Sequence, residues 1–82
     1  MSKSENLFSR ITIDSKVMLG KPTIRGLRIT VEQILKSLSR GLSQSDILEE
    51  YPELEQKDFQ AVFAYVAMLV EEEQVFPVRL SA

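Results

Sequence analysis

Apolar and polar residues alternate along residues 8–13, near the start of the chain. This period of two is typical of a half-buried strand, and the Asp14-Ser15 pair is a turn signal that ends it. Residues 20–29 hold two of the three glycines and one of the three prolines. These residues interrupt regular structure, so we expect a loop there, with residues 28–30 returning alongside the first strand.

Two helix signals follow the loop, and each begins with a capping pattern. Thr30 with Gln33 three residues later predicts the start of a first helix, and Gly41 is a good stop for it. Ser43 with Asp46 predicts the start of a second, short helix, which ends before the next proline.

The third helix signal is the longest and carries a broad apolar stripe. Acidic residues in its first turn favour the positive helix end, and the pattern runs to about Glu73. Its apolar positions are Phe59, Val62, Phe63, Val66, Ala67, Leu69 and Val70. We expect four residues of this stripe to face the core, namely Phe59, Phe63, Val66 and Val70. The spacing of the last two helices matches a helix-turn-helix, which predicts a mainly α, tri-helical bundle with a short N-terminal strand or hairpin.

The length of 82 residues suits one domain and is too short for a catalytic cleft between two lobes. We expect residues 1–7 to form a flexible N-terminus and residues 8–82 a single domain. The chain is 44% apolar and 27% charged, which is ordinary globular usage. Neither a signal peptide nor a membrane span is visible, so a cytoplasmic location is expected, and the small size favours self-association.

The chain contains no histidine and no cysteine. The commonest general base, the commonest metal ligands and every Ser/His or Cys/His nucleophilic arrangement are therefore excluded. We expect a protein that binds partners, with no enzyme activity, no cofactor and no metal.

Charge is divided unevenly along the sequence. Residues 1–41 hold eight basic and three acidic residues, a net charge of +5, whereas residues 42–82 hold two basic and nine acidic residues, a net charge of −7. A basic region favours polyanions and an acidic region favours basic proteins.

Lys21, Arg25 and Arg28 lie close together in the glycine-containing loop. If the loop is stiff it presents three cations together, which suits an anion such as a phosphate or carboxylate. The alternative is structural, with an arginine tying the loop to an acid such as Asp14 or Glu32. The sequence leaves both possibilities open.

Residues early in the third helix are candidates for contacts in the DNA major groove. They are Gln56, Lys57 and Gln60. Three acids in the same region would repel phosphates, namely Glu53, Glu55 and Asp58. The alternative interpretation is a solvated helix start whose acids complement the helix dipole.

A second set of candidates suits a protein partner. It combines residues of the third helix with the apolar segment beyond its end, and its members are Tyr65, Met68, Val75, Phe76, Val78 and Leu80. An apolar segment past the last helix either packs back on its own core or docks on a second subunit or another protein. We favour the intermolecular use.

The run Gly-Lys-Pro-Thr-Ile-Arg-Gly-Leu-Arg-Ile at residues 20–29, with residues 11–14, 41–43 and 47–52, resembles domain-of-unknown-function family 433. The resemblance covers nearly the whole chain, although Leu27 stands where the family usually has threonine. That family is described as VapB-like antitoxins. The resemblance implies a homeodomain-like, winged-helix-type domain that is often paired with a PIN-like nuclease toxin.

The function expected from this resemblance is that of an antitoxin-like protein. It would bind and neutralise a PIN-like toxin and, as a homodimer, regulate its own operon by binding DNA. The alternative is a homo-oligomeric DNA-binding regulator or interaction module with no toxin partner.

Overall fold

The computed structural model describes residues 6–72, and three helices account for most of them. Helix α1 spans Val31–Ser39, α2 spans Gln44–Glu50 and α3 spans Gln56–Glu72. The prediction of a mainly helical chain with three helices and a small hairpin is confirmed, and the helix-turn-helix arrangement stays a prediction. None of the helices within residues 6–72 combines the length and apolar character needed to cross a bilayer.

A two-stranded antiparallel hairpin precedes the helices. Strand β1, Ile11–Thr12, pairs with β2, Thr23–Ile24, so that Ile11 lies opposite Ile24. The prediction that residues 28–30 return alongside the first strand is wrong, because β2 holds that position and Thr30 forms a bridge with Thr23 instead.

The predicted strand over residues 8–13 is also shorter than expected. A 3₁₀ helix, Leu7–Arg10, occupies its first part. It forms because the Asn6 side chain caps it, with Oδ1 of Asn6 accepting a hydrogen bond from the backbone N–H of Phe8 at 3.0 Å. A local side-chain cap therefore overrides the alternating pattern.

Both predicted capping boxes are present. The hydroxyl of Thr30 accepts a hydrogen bond from the backbone N–H of Gln33 at 2.9 Å, and Ser43 does the same for Asp46 at 3.0 Å. The side-chain oxygen of Gln33 in turn accepts a hydrogen bond from the backbone N–H of Thr30, and that of Asp46 accepts one from the backbone N–H of Ser43. These caps satisfy N–H groups that have no partner within a helix, and they fix where α1 and α2 begin.

The core lies where the hairpin, the loop and the three helices meet. Its buried residues are Ile24, Ile29, Val31, Ile34, Ile47, Leu54, Phe59 and Val62. The prediction that Phe63 and Val70 face the core is wrong, since their side chains are 46% and 59% exposed. Helix α3 has 17 residues against nine in α1 and seven in α2, and its buried residues all lie in its first half.

Candidate functional site

The carboxylate of Asp58 is fully buried at the first turn of α3. It accepts hydrogen bonds from Nη1 of Arg10 at 2.8 Å, and from Nε and Nη2 of Arg25 at 3.1 and 2.9 Å. The backbone N–H of Glu55 donates to it as well, at 2.7 Å. One carboxylate thus joins the end of the 3₁₀ helix Leu7–Arg10, the turn after β2 and the start of α3.

The surroundings of Asp58 keep it ionised. Burial raises the pKa of its carboxyl, but hydrogen bonds from Arg25, the backbone of Glu55 and Arg10 outweigh that effect and hold the pKa below its ordinary value. The hydrogen bond to Asp58 in turn raises the pKa of Arg25. Nη2 of Arg25 also donates to the backbone carbonyl of Glu53 at 2.7 Å.

Arg25 therefore has a structural role in the described residues, since its guanidinium holds the loop against α3. Its partner is Asp58, and neither Asp14 nor Glu32, the acids named from the sequence, contacts it. The expectation that Asp58 repels phosphates at the start of α3 is wrong, because its carboxylate is buried and paired with two arginines.

Lys21 and Arg28, the other two loop cations, lie together in a shallow depression of about 340 Å³. The remaining residues of its lining are Ser15, Lys16, Met18 and Leu19. Nζ of Lys21 lies 2.9 Å from Oε1 of Glu32, whose other oxygen is 3.3 Å from Nζ of Lys36. Hydrogen bonds from these two lysines lower the pKa of Glu32. The loop thus presents Lys21 and Arg28 on one surface, while Arg25 is directed to α3.

The three residues predicted to contact DNA all lie on the exposed side of α3. Gln56, Lys57 and Gln60 are each exposed. Nε2 of Gln56 donates a hydrogen bond to Oε1 of Gln44 at 2.6 Å, so the first residues of α2 and α3 contact each other.

Tyr65 lies in an open groove of about 600 Å³ between α1 and the second half of α3. This α1–α3 groove has an apolar lining made of Pro22, Val31, Leu35, Tyr65, Val66, Leu69 and Val70. Glu32, Lys36 and Ser39 add polar groups to it. Met68 is half-buried and is not part of the lining. The predicted partner residues Val75, Phe76, Val78 and Leu80 lie outside the described residues.

Sequence reasoning missed two features of this surface. One is the contact of Arg10 with Asp58, since nothing in the sequence indicates that Arg10 meets a carboxylate 48 residues away. Asp58 offered a partial signal, since an acid three residues after a helix cap commonly accepts from the backbone N–H of that cap. The groove was not predicted, because the exposure of Leu69 and Val70 depends on how far α3 extends past its neighbours.

The structure offers no metal-binding arrangement in the part of the chain that it describes, as no group of three acidic, histidine or cysteine residues there could hold an ion.

No curated protein and no solved structure matches the chain. A family model described as "Protein of unknown function (DUF433)" matches residues 11–66. The matched range contains both strands, α1, α2 and the first part of α3, and it includes Arg25 and Asp58. Because the match covers more than half of the 82 residues, the chain belongs to the DUF433 family of proteins of unknown function.

Proposed function

We propose that this chain is an antitoxin-like protein that binds a PIN-like nuclease toxin and neutralises it. The α1–α3 groove is the observation that carries the proposal. Its wall includes Leu69 and Val70, which are 45% and 59% exposed. Contiguous apolar surface on a small domain commonly marks a protein-binding site, because leaving it in water is unfavourable.

The groove suits a short segment of the nuclease. Along α1 it extends from Val31 to Ser39, a rise of about 12 Å at 1.5 Å per residue. About two turns of helix or about four extended residues fill that length. Glu32 and Lys36 lie in the lining as an ion pair at 3.3 Å, so polar side chains at the edge of the bound segment would be complementary to that pair.

The composition of the chain supports an inhibitor. It has no histidine and no cysteine, the residues that most often serve as general base or strong nucleophile. The resemblance of residues 20–29 and the neighbouring motifs to VapB-like antitoxins supplies the class of partner. In this proposal the nuclease performs the reaction and the present chain blocks it.

The proposal includes regulation of the operon by a homodimer. In it, α2 and α3 form a helix-turn-helix of the homeodomain-like, winged-helix type. Gln56, Lys57 and Gln60 of α3 then face the major groove of the operator. Their exposure supports this part of the proposal.

Co-expression with a PIN-like nuclease, if the adjacent gene encodes one, tests the toxin partner. Size-exclusion chromatography with light scattering measures complex formation, and cleavage of an RNA substrate measures inhibition. The wild-type chain should co-elute with the nuclease and abolish cleavage. The double variant Leu69→Glu/Val70→Glu should weaken binding at least about tenfold, which corresponds to about 1.4 kcal/mol.

Phe63→Glu is the matched control for that variant. Phe63 is apolar, 46% exposed and on the same helix, but it is not part of the groove lining. This variant should bind and inhibit as the wild type does. A nuclease that neither binds nor loses activity would contradict the proposal. A different result would favour the homo-oligomeric regulator. In it, the wild-type chain self-associates and does not bind the nuclease, and Leu69→Glu/Val70→Glu abolishes the self-association.

A further inference from the structure

The shallow depression formed by Lys16, Lys21 and Arg28, here called the basic depression, differs in charge from the start of α3. The exposed charged residues within 14–28 are these three cations and one acid, Asp14, and Glu32 of α1 pairs with Lys21. Around the start of α3, by contrast, the exposed acids Glu53 and Glu55 outnumber the exposed cation Lys57, and Glu55 pairs with the largely buried Arg10. A polyanion is therefore attracted to the basic depression more strongly than to the start of α3.

The cations of the basic depression are available for a ligand. The side chains of Lys16 and Arg28 have no hydrogen bond or ion pair with the residues described here. Lys21 pairs with Glu32, but both side chains are about half exposed, and such a pair contributes little in water. Exchanging the Glu32 carboxylate for a phosphate therefore costs little.

The backbone beneath the basic depression is held in one shape by local hydrogen bonds. The backbone N–H of Lys16 donates to Oδ1 of Asp14 at 2.9 Å, and that of Val17 donates to the carbonyl of Asp14 at 2.8 Å. Two further turns follow, from Gly20 to the carbonyl of Val17 and from Lys21 to the carbonyl of Met18. A fixed loop reduces the entropy lost when a ligand is bound.

We propose that the basic depression binds the phosphodiester backbone of nucleic acid, with Lys16, Lys21 and Arg28 each contacting one phosphate. This inference deepens the DNA-binding part of the proposed function and rests on it. It assigns most of the affinity to the loop and only base contacts to Gln56 and Gln60. Backbone contacts of this kind position a protein without reading sequence.

Fluorescence anisotropy with the full chain tests this inference, with salt concentration as the variable. The probes are a labelled DNA duplex of unrelated sequence and a labelled single-stranded RNA of the same length. Three phosphate contacts per protomer predict a slope of about −2.7 for log affinity against log salt on duplex DNA, or about 40-fold weaker binding between ~50 and ~200 mM. Tighter binding of one probe shows whether the basic depression prefers the phosphates of duplex DNA or those of single-stranded RNA.

Arg28→Gln should make that slope less negative by about 0.9, and Lys16→Gln/Arg28→Gln by about 1.8. Arg40→Gln is the matched control, because it removes one exposed cation just after α1 that lines neither the basic depression nor the α1–α3 groove, and its slope should stay close to that of the wild type. A change in Arg40→Gln as large as that in Arg28→Gln would overturn the inference. So would a wild-type chain that binds neither probe at ~50 mM salt.

The nuclease test provides a separate readout. Arg28→Gln lies outside the α1–α3 groove and should leave nuclease inhibition unchanged. A normal salt dependence with no nuclease binding would contradict the proposed toxin partner and leave the basic depression as the nucleic-acid contact. Nuclease inhibition together with a salt dependence that Lys16→Gln/Arg28→Gln leaves unchanged would support the toxin partner. It would contradict the assignment of the phosphate contacts to the basic depression.

Discussion

Arg25 and Asp58 form a bidentate ion pair across 33 residues of sequence. Nε of Arg25 lies 3.1 Å from Oδ1 of Asp58, and Nη2 lies 2.9 Å from Oδ2. The planar guanidinium matches the carboxylate in a way that a lysine ammonium cannot. Since the Asp58 side chain is fully buried, this contact fixes the loop after β2 against α3. The loop after β2, which contributes Arg28 to the basic depression, is therefore attached to the helix that forms one wall of the α1–α3 groove.

Asp58→Asn should lower the free energy of unfolding by about 3 kcal/mol, because it leaves two arginines facing a neutral amide in a site built for a charge. Urea denaturation followed by circular dichroism measures the change. Glu49→Gln is the control, as it neutralises an exposed acid of α2, and it should change stability by less than about 0.5 kcal/mol. Equal effects of the two substitutions would show that the buried pair contributes nothing specific.

The same carboxylate gives the fold a dependence on acid pH. The pKa of Asp58 is lower in the folded state than its ordinary value, so the folded chain binds fewer protons there than the unfolded chain. Its contribution is therefore complete above the unfolded pKa of about 3.9 and is lost as the pH falls toward the folded pKa.

The difference in stability between the wild type and Asp58→Asn should thus be constant above about pH 5 and shrink below about pH 4. Urea denaturation of both proteins across that range measures it. Taking the difference removes the contributions of other acids, such as Glu32 and Asp46, whose pKa values are also lowered. A difference that grows as the pH falls would contradict the assignment.

Local signals in the sequence predict the starts of α1 and α2 well. Contacts between residues that are distant in the sequence are predicted poorly. The caps at Thr30 and Ser43 depend on residues three positions away, so a short window of sequence contains them. The Arg25–Asp58 pair and the pairing of β1 with β2 join distant segments, and no local pattern specifies them. The exposure of Val70 likewise depends on the lengths of neighbouring helices, which is a property of the assembled fold.

Gly41 ends α1 in a left-handed conformation, with φ at +97°. Its backbone N–H donates to the carbonyl of Leu38 at 3.0 Å, and that of Leu42 donates to Ser37 at 3.1 Å, which is a Schellman motif. A Cβ at this position would meet no atom within 4 Å, so the cost of a side chain lies in the backbone alone.

Gly41→Ala should therefore lower the free energy of unfolding by about 1–2 kcal/mol, the cost of a left-handed conformation in a residue with a Cβ. Thermal and urea denaturation measure the change. Ser45→Ala, at an exposed position in α2, is the control and should have an effect within about 0.5 kcal/mol. A neutral Gly41→Ala would mean that α1 ends differently in solution.

Leu19 combines a left-handed backbone with a side chain that is almost entirely in water. Its φ is +59° and its side chain is 91% exposed. A leucine in this conformation costs stability, and burial of its side chain does not compensate for that cost. Because Leu19 lines the basic depression, its side chain is available to a ligand bound there.

Leu19→Asn should consequently raise the free energy of unfolding by about 0.5–1 kcal/mol, since asparagine adopts the left-handed region more readily than leucine. Urea denaturation measures this gain. Ile13→Asn is the matched control, because Ile13 is also a large exposed apolar residue and its φ is not positive, so no gain is expected. If Leu19→Asn destabilises the chain as a core substitution does, the side chain is buried in solution, and Leu19 is not available to a ligand in the basic depression.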